Sequence, residues 1–297
     1  MCGIVGLHLR EPALHPRLGE LLTGMLGQVV ERGPDSAGVA VYGDPRMSPP
    51  GSAAVSLLTD VPARPVADLV GERLGGPVGV FDAGETLVVH APASVDALSR
   101  AVRDALPGAL VIGSGHDLAV LKGVGHPDDL AGEFGLREAS GWQGVAHTRM
   151  ATESAVTSAG SHPFSVGPDQ CLVHNGSFAN HATIHRQLRA EGVVFDSEND
   201  SEVGARFVAR QLAEGADLEK ALRLLCERFD GFYTLLVTTS DSFAVVRDAI
   251  ACKPALIAET PRWVAMASEY RALAGLPGIE GARIIEPEPE EVYVWKR

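Results

Sequence analysis

The sequence predicts an α+β chain built from layered sheets rather than around one parallel sheet. Strand-like runs crowd both ends of the chain, while helix-like periodicities cluster between them at 178–190, 201–213 and 217–228. The composition supports a full core: 45% of the 297 residues are hydrophobic and 21% are charged, the mix of a folded globular chain rather than a disordered one. A chain of this length has enough interior to fold without disulfide or metal staples.

Residues 2–9, CGIVGLHL, read as a short buried strand. In 14–31 the apolar residues Leu18, Leu21, Leu22, Met25, Leu26 and Val29 recur at three- and four-residue steps, which predicts one helix with a single apolar stripe. Gly33 and Pro34 stop it, with Gly33 expected at positive φ. A second strand follows at 37–42, then a Pro/Ser/Gly-rich loop at 44–52. Between about 53 and 135, strand-like runs (87–90, 109–112, 118–121) alternate with helical ones (65–74, 94–106). This predicts an α/β insert at about 44–140 within a single domain spanning 1–297. Strands resume at 143–148, 170–174, 233–239, 243–247, 255–258, 263–267 and 292–295. The acidic turn EPEPEE at 286–291 reads as a solvated connection.

Charge and segment composition exclude several classes. Twenty-five Lys and Arg against 38 Asp and Glu give a net charge of −13, without a basic block. Phosphate backbones and anionic membrane surfaces need clustered cations, so neither is the expected partner. No apolar run approaches the roughly 20 residues of a membrane span. The first residues lack the basic and long apolar regions of a secretory signal, so a cytoplasmic location is expected. Cys2, Cys171, Cys226 and Cys252 form no CxxC pair and suggest neither a disulfide framework nor a zinc site. His181 and His185, four apart on a predicted helix, lack a carboxylate at metal spacing, so no metal is expected. There is no Walker motif, no GxGxxG opening a helix and no cysteine cluster, and no cofactor is expected.

Cys2 is the first residue that suggests chemistry. Removal of Met1 would give one residue both a thiol and a free α-amine. That amine has an ordinary pKa of about 7.7–8.0 and accepts a proton near neutral pH, so the thiol needs no histidine partner. The motifs that accompany it are MCGIVG at the start, RGPDSAG at 32–38, HTRMAT at 147–152, SHPF at 161–164, HNGSFAN at 174–180 and ENDSEV at 198–203. In this order they resemble the class II glutamine amidotransferases over nearly the whole chain. HTRMATES, GPDQCLVHNGS, ACKP and the SEYRAL–GLPGIEGAR segment resemble, more narrowly, the amidotransferase subunit of glutamate-synthase-like enzymes such as the N-methylglutamate synthase small subunit. The resemblance implies the four-layer αββα N-terminal nucleophile hydrolase fold, with two stacked antiparallel sheets between helices.

Glutamine presents a carboxylate, an ammonium and an amide whose oxygen becomes anionic during attack. The planar fork of Arg149 suits the carboxylate, and the resemblance assigns it there with Thr152 beside it. The resemblance sets Asp200 against the ammonium, although Asp200 also reads as the N-cap of helix 201–213. Asn175 and Gly176 read as an oxyanion hole and equally as an Asn-Gly turn. Arg32 and Asp35 are expected to support the loop beside the N-terminus, and His162 to lie in a loop over the substrate. His147 and His174 read as core or loop histidines, and Cys171 as inert core. Cys252 and Lys253 carry no assigned role.

The function implied is hydrolysis of glutamine through a Cys2 thioester, with ammonia passed to synthase subunits of a glutamate-synthase-like complex. The acceptor chemistry would lie on those other chains. A second reading is a catalytically silent glutamine-sensing or scaffold subunit of an N-methylglutamate-synthase-like complex. A retained Met1 would favour it, because it blocks the α-amine.

Overall fold

A computed structural model describes residues 2–150 and 156–297. The first half of the chain runs β1 (Gly3–Leu9), α1 (Leu18–Gly27), β2 (Ser36–Tyr42), β3 (Ala53–Leu58), α2 (Ala63–Leu74), β4 (Gly79–Ala83), β5 (Thr86–Ala91), α3 (Val95–Ala105), β6 (Leu110–Gly115), β7 (Leu118–Val124), α4 (Pro127–Glu133) and β8 (Gln143–Arg149). The second half runs β9 (Cys171–Phe178), α5 (His181–Ala190), α6 (Asp200–Ala213), α7 (Leu218–Arg228), β10 (Gly231–Thr238), β11 (Ser242–Arg247), β12 (Leu256–Glu259), β13 (Trp263–Ala267), α8 (Tyr270–Leu273), β14 (Arg283–Ile285) and β15 (Val292–Lys296).

Two antiparallel sheets stack face to face. One has seven strands in the order β14-β12-β13-β1-β8-β2-β7, and the other has four in the order β15-β11-β10-β9. Their facing side chains form one core, with Ile4, Ala40, Val120 and Val145 meeting Val173, Leu236, Phe243 and Val245. The outer face of the larger sheet is covered by α1, α4 and α8 through Val5, Leu7, Leu22, Met25, Leu130 and Leu273. The outer face of the smaller sheet is covered by α5, α6 and α7 through Ile184, Phe207, Leu222 and Leu235. Helices, sheet, sheet, helices is thus the observed layering, and it explains why β1 is buried along its whole length.

Within 44–140, residues 53–115 form a third sheet in the order β4-β5-β3-β6, with α2 and α3 as crossovers. This βαββαβ unit is a split-βαβ arrangement with its own core of Val55, Leu57, Val66, Val89, Leu98 and Val102. It covers the outer edge of the seven-stranded sheet. Ser56 Oγ accepts the Val120 N–H at 2.9 Å, and Thr86 Oγ1 accepts the Lys122 N–H and donates to the Lys122 carbonyl, both at 3.0 Å. Backbone groups that would be left open on edge strand β7 are satisfied this way. The strand expected at 118–121 is therefore β7 of the main sheet, and β3 and β4 were not anticipated from sequence.

Two local expectations differ. The single helix expected over 14–31 is α1 flanked by 3-10 turns at Pro12–Arg17 and Val30–Arg32. Pro16, without an N–H, prevents a continuous α-helix through the first part. Gly33 is extended at φ −165° rather than left-handed. It is needed for close approach instead, because an added Cβ would sit 2.5 Å from the Arg149 carbonyl carbon.

Candidate active site

The register of β1, β8 and β2 builds one wall of the site. Gly3 stands opposite Thr148, and Arg149 opposite Ser36. Carried one residue further, the antiparallel register sets Cys2 opposite Arg149. Alternation then puts Cys2, Arg149 and Ser36 on the face turned toward the smaller sheet. Arg149 is buried, its carbonyl accepts the Asp35 N–H at 3.1 Å, and its Nη1 group lies against Gly160. Thr152 lies outside the described residues.

Cys2 is partly exposed and is held by its carbonyl from two sides. Arg32 Nε donates to that oxygen at 3.1 Å, and Asn175 Nδ2 at 3.2 Å. Arg32 is itself fixed by Glu269 at 2.8 Å, whose other oxygen takes Arg271 Nε at 2.7 Å. The next residue is tied down as well: the Gly3 N–H donates to Thr148 Oγ1 at 3.2 Å, and that hydroxyl donates to the Val29 carbonyl. The nucleophile candidate thus leads a strand whose first residues are hydrogen-bonded in place, and it remains partly exposed.

The opposite wall is the free edge of β9. Tyr233 exchanges both backbone bonds with Asp248: its N–H donates to Asp248 Oδ1 at 2.8 Å and its carbonyl accepts the Asp248 N–H at 3.1 Å. Gly176, paired with Tyr233, therefore turns its own N–H and C=O away from β10 and off the sheet edge. The neighbours of the same parity follow the same pattern. Leu172 exchanges bonds with Phe164, and the Phe178 N–H donates to Asp200 Oδ2 at 2.9 Å. Gly176 is exposed, with φ +144°, and an added Cβ would sit 1.9 Å from the Phe232 carbonyl oxygen. Only glycine fits this backbone conformation without a clash. Asn175, buried beside it, lies on the strand that faces Cys2.

Asp200 opens α6, but it is not the cap. Asn199 is the N-cap, accepting the Ser201 N–H at 2.9 Å. Asp200 instead holds β9 through Phe178 and accepts from Ser201 Oγ at 3.2 Å, and its first-turn position is favoured by the helix dipole. Arg32 and Asn175 thus bond to the Cys2 backbone, Arg149 stands opposite it in register, Asp35 is tied to the Arg149 carbonyl, and Asp200 is tied to Phe178, two residues beyond Gly176 on β9.

Three histidines stand behind this wall. Across the large sheet, Ile4, His147, Gly38 and Lys122 form one row on the inner face, directly behind the Cys2–Arg149–Ser36 row. His162 occupies the gap above Gly38, where an added Cβ would meet its carbonyl oxygen at 2.0 Å. Its ring is 4.2 Å from His147 on β8 and 6.2 Å from His174 on β9, so it packs against residues of both sheets. Burial pushes His147 down to about 3, with His174 and Arg149 adding to the effect. His162 falls well below its ordinary value for the same reason, with His147 as the next cause. Burial also lowers His174, while Asp200 pulls the other way.

The remaining candidates are settled by contacts. His181 donates its Nδ1 proton to the Phe178 carbonyl at 2.7 Å, and His185 packs edge-on against Phe195. Cys171 is buried beside Tyr42 and Thr238, and burial pushes its thiol up to about 11. The Lys253 carbonyl accepts Thr234 Oγ1, and its ammonium lies over the Phe232 ring at 5.0 Å, next to the Gly176 edge. Sequence reasoning missed Glu269, Thr148 and Lys122. The SEY segment contains Glu269, but nothing in its spacing points at Arg32.

A glutamine amidotransferase domain family matches residues 147–275, the stretch that holds Arg149, Asn175, Gly176 and Asp200. The chain is 48% identical to the glutamine amidotransferase-like protein GlxB of Rhizobium meliloti (strain 1021), over 99% of this chain and 98% of that protein. It is 33% identical to the glutamine–fructose-6-phosphate aminotransferase of Vibrio vulnificus (strain YJ016) over 47% of this chain and 23% of that one. Its fold matches the glutamine phosphoribosylpyrophosphate amidotransferase of B. subtilis, with a TM-score of 0.62 at 18% identity. That match covers 99% of this chain and 47% of the B. subtilis chain.

Proposed function

From the premise that this chain belongs to the glutamine amidotransferase family, we propose that it hydrolyses the side-chain amide of glutamine at Cys2 and passes the ammonia to a separate synthase subunit. Arg149 pairs with the substrate carboxylate and Asp200 with its ammonium, which sets the amide carbon at the Cys2 sulfur. Once Met1 is removed, the α-amine of Cys2 takes the thiol proton. The sulfur attacks the amide carbon, and Asn175 Nδ2 with the Gly176 N–H takes the oxyanion. The same amine returns the proton to the departing nitrogen, which leaves as ammonia. Water then cleaves the γ-glutamyl thioester and releases glutamate.

The observation that carries this reading is the Gly176 edge. Its N–H turns off an open strand, beside an Asn175 side chain that touches the Cys2 backbone. The finer reading, a glutamate-synthase-like partner of the N-methylglutamate synthase type, rests on the wording of ACKP and of the SEYRAL–GLPGIEGAR segment. Cys2→Ala tests the chemistry. The variant is expected to keep the wild-type circular dichroism and lose glutamate release from glutamine. Turnover close to wild type in that variant rejects the mechanism.

A further inference from the structure

We propose that the pocket lined by Lys122, between the βαββαβ unit and the main sandwich, is a binding site for a small carboxylate monoanion of three or four heavy atoms, the size of formate or acetate. Nothing in this inference depends on glutamine chemistry.

The Lys122 side chain is 2% exposed, yet among the described residues no carboxylate lies within ion-pair distance of its ammonium. The ammonium lies over the Phe164 ring, 4.7 Å from its centroid. Glu202 lines the same cavity, but its oxygens are already taken. They accept the Asp196 and Ser197 N–H groups, the Ser197 hydroxyl and Arg206. Asp196, also in the lining, is paired with Arg206 at 2.7 Å. Ser165 Oγ is buried in the wall with no hydrogen-bond partner. Among the described residues, a buried lysine without an ion-pair partner and a buried hydroxyl without a hydrogen-bond partner thus line one space, and both are costly unless something binds there.

The size of the pocket and the donors on its wall select the ligand. Its volume is about 40 Å³. At roughly 10–15 Å³ per water by this measure, that is room for about three waters or one formate- to acetate-sized ion. Asp196 and Glu202 in the lining share the Arg206 guanidinium, and His147 and His162 are neutral, so Lys122 supplies the positive charge that an anion would meet. An anion accepting from the Lys122 ammonium and the Ser165 hydroxyl satisfies both orphan groups at once. The walls come from β6 of the added unit, the segment that carries His162, and the first turn of α6 that carries Asp200. A bound ion would brace both sides of the adjoining site.

Burial lowers Lys122 to about 7, with Glu202 opposing, so at pH 8 the empty cavity holds mostly neutral amine. An anion requires the ammonium, so binding at pH 8 takes up a proton. The test is calorimetric titration of the full chain with formate at pH 8, in two buffers of different ionisation enthalpy, against chloride at equal ionic strength. Saturable formate binding with uptake of close to one proton is expected, and Lys122→Met should abolish it. No saturable binding beyond the chloride control, binding without proton uptake, or binding by Lys122→Met within twofold of wild type would each overturn the proposal. If Lys122→Met does not fold, Ser165→Ala decides. Loss of a hydrogen bond to a charged group corresponds to about tenfold weaker binding, and unchanged affinity overturns the site.

Discussion

Two residues bring their donors to one point, the backbone of Cys2. Asn175 and Arg32 come from motifs far apart in the sequence, yet both end on the Cys2 carbonyl. Asn175 has a second amide hydrogen beyond the one spent there, and this is the donor assigned to the oxyanion. Asn175→Ala should therefore lower kcat for glutamine by about 10²–10³. Alkylation of Cys2 by iodoacetamide should stay near the wild-type rate, because that reaction develops no oxyanion. A drop in kcat below tenfold would remove Asn175 from the oxyanion role. The candidate residues of this site were named in sequence through the resemblance of their motifs, each having a chemistry that glutamine requires. Glu269 and Lys122 were not, because their importance lies in what they touch. Glu269 matters through Arg32, more than 200 residues away, and Lys122 through strand register.

Elements were legible where periodicity was strong and illegible where a backbone position served a distant neighbour. The apolar stripe of α1 reads directly from its spacing, but Pro16 divides the helical run. The GVFDA run of β4 has little alternation and stayed hidden until β5 paired with it. Gly38 shows the second kind. It lies inside an otherwise ordinary strand, and nothing nearby in sequence demands glycine. Its lack of a side chain leaves room for His162 between His147 and Lys122. Gly38→Ala places a Cβ 2.0 Å from the His162 carbonyl oxygen. Overpacking of this kind typically costs about 1–3 kcal/mol, so the urea midpoint should fall with an unchanged slope. An unchanged midpoint would mean that the segment carrying His162 is free to move away.

At the scale of the whole molecule, the sandwich closes over ionisable side chains it cannot solvate. The layered α+β plan followed from the strand and helix distribution, but the polar seam within it did not, because it forms only when β8, β9 and the His162 segment meet. His147, His162 and His174 are all held below their ordinary value by burial. Lys122 and Arg149 reinforce this for His147 and His162, while Asp200 opposes it at His174. In the unfolded chain each histidine takes a proton below about pH 6.5. Between that value and the lower folded one, the unfolded state holds more protons, so stability falls as pH falls. Each histidine that stays neutral contributes up to about 1.4 kcal/mol per pH unit to that slope. Carboxylates add their own acid dependence, so the comparison must be between variants. His162→Gln, which does not titrate, should flatten the stability curve between pH 6 and 4 by about that one-histidine increment. Denaturant midpoints across this range measure it. Parallel curves for wild type and variant would mean that His162 is solvated enough to protonate in place, and that the seam between the sheets is open to water.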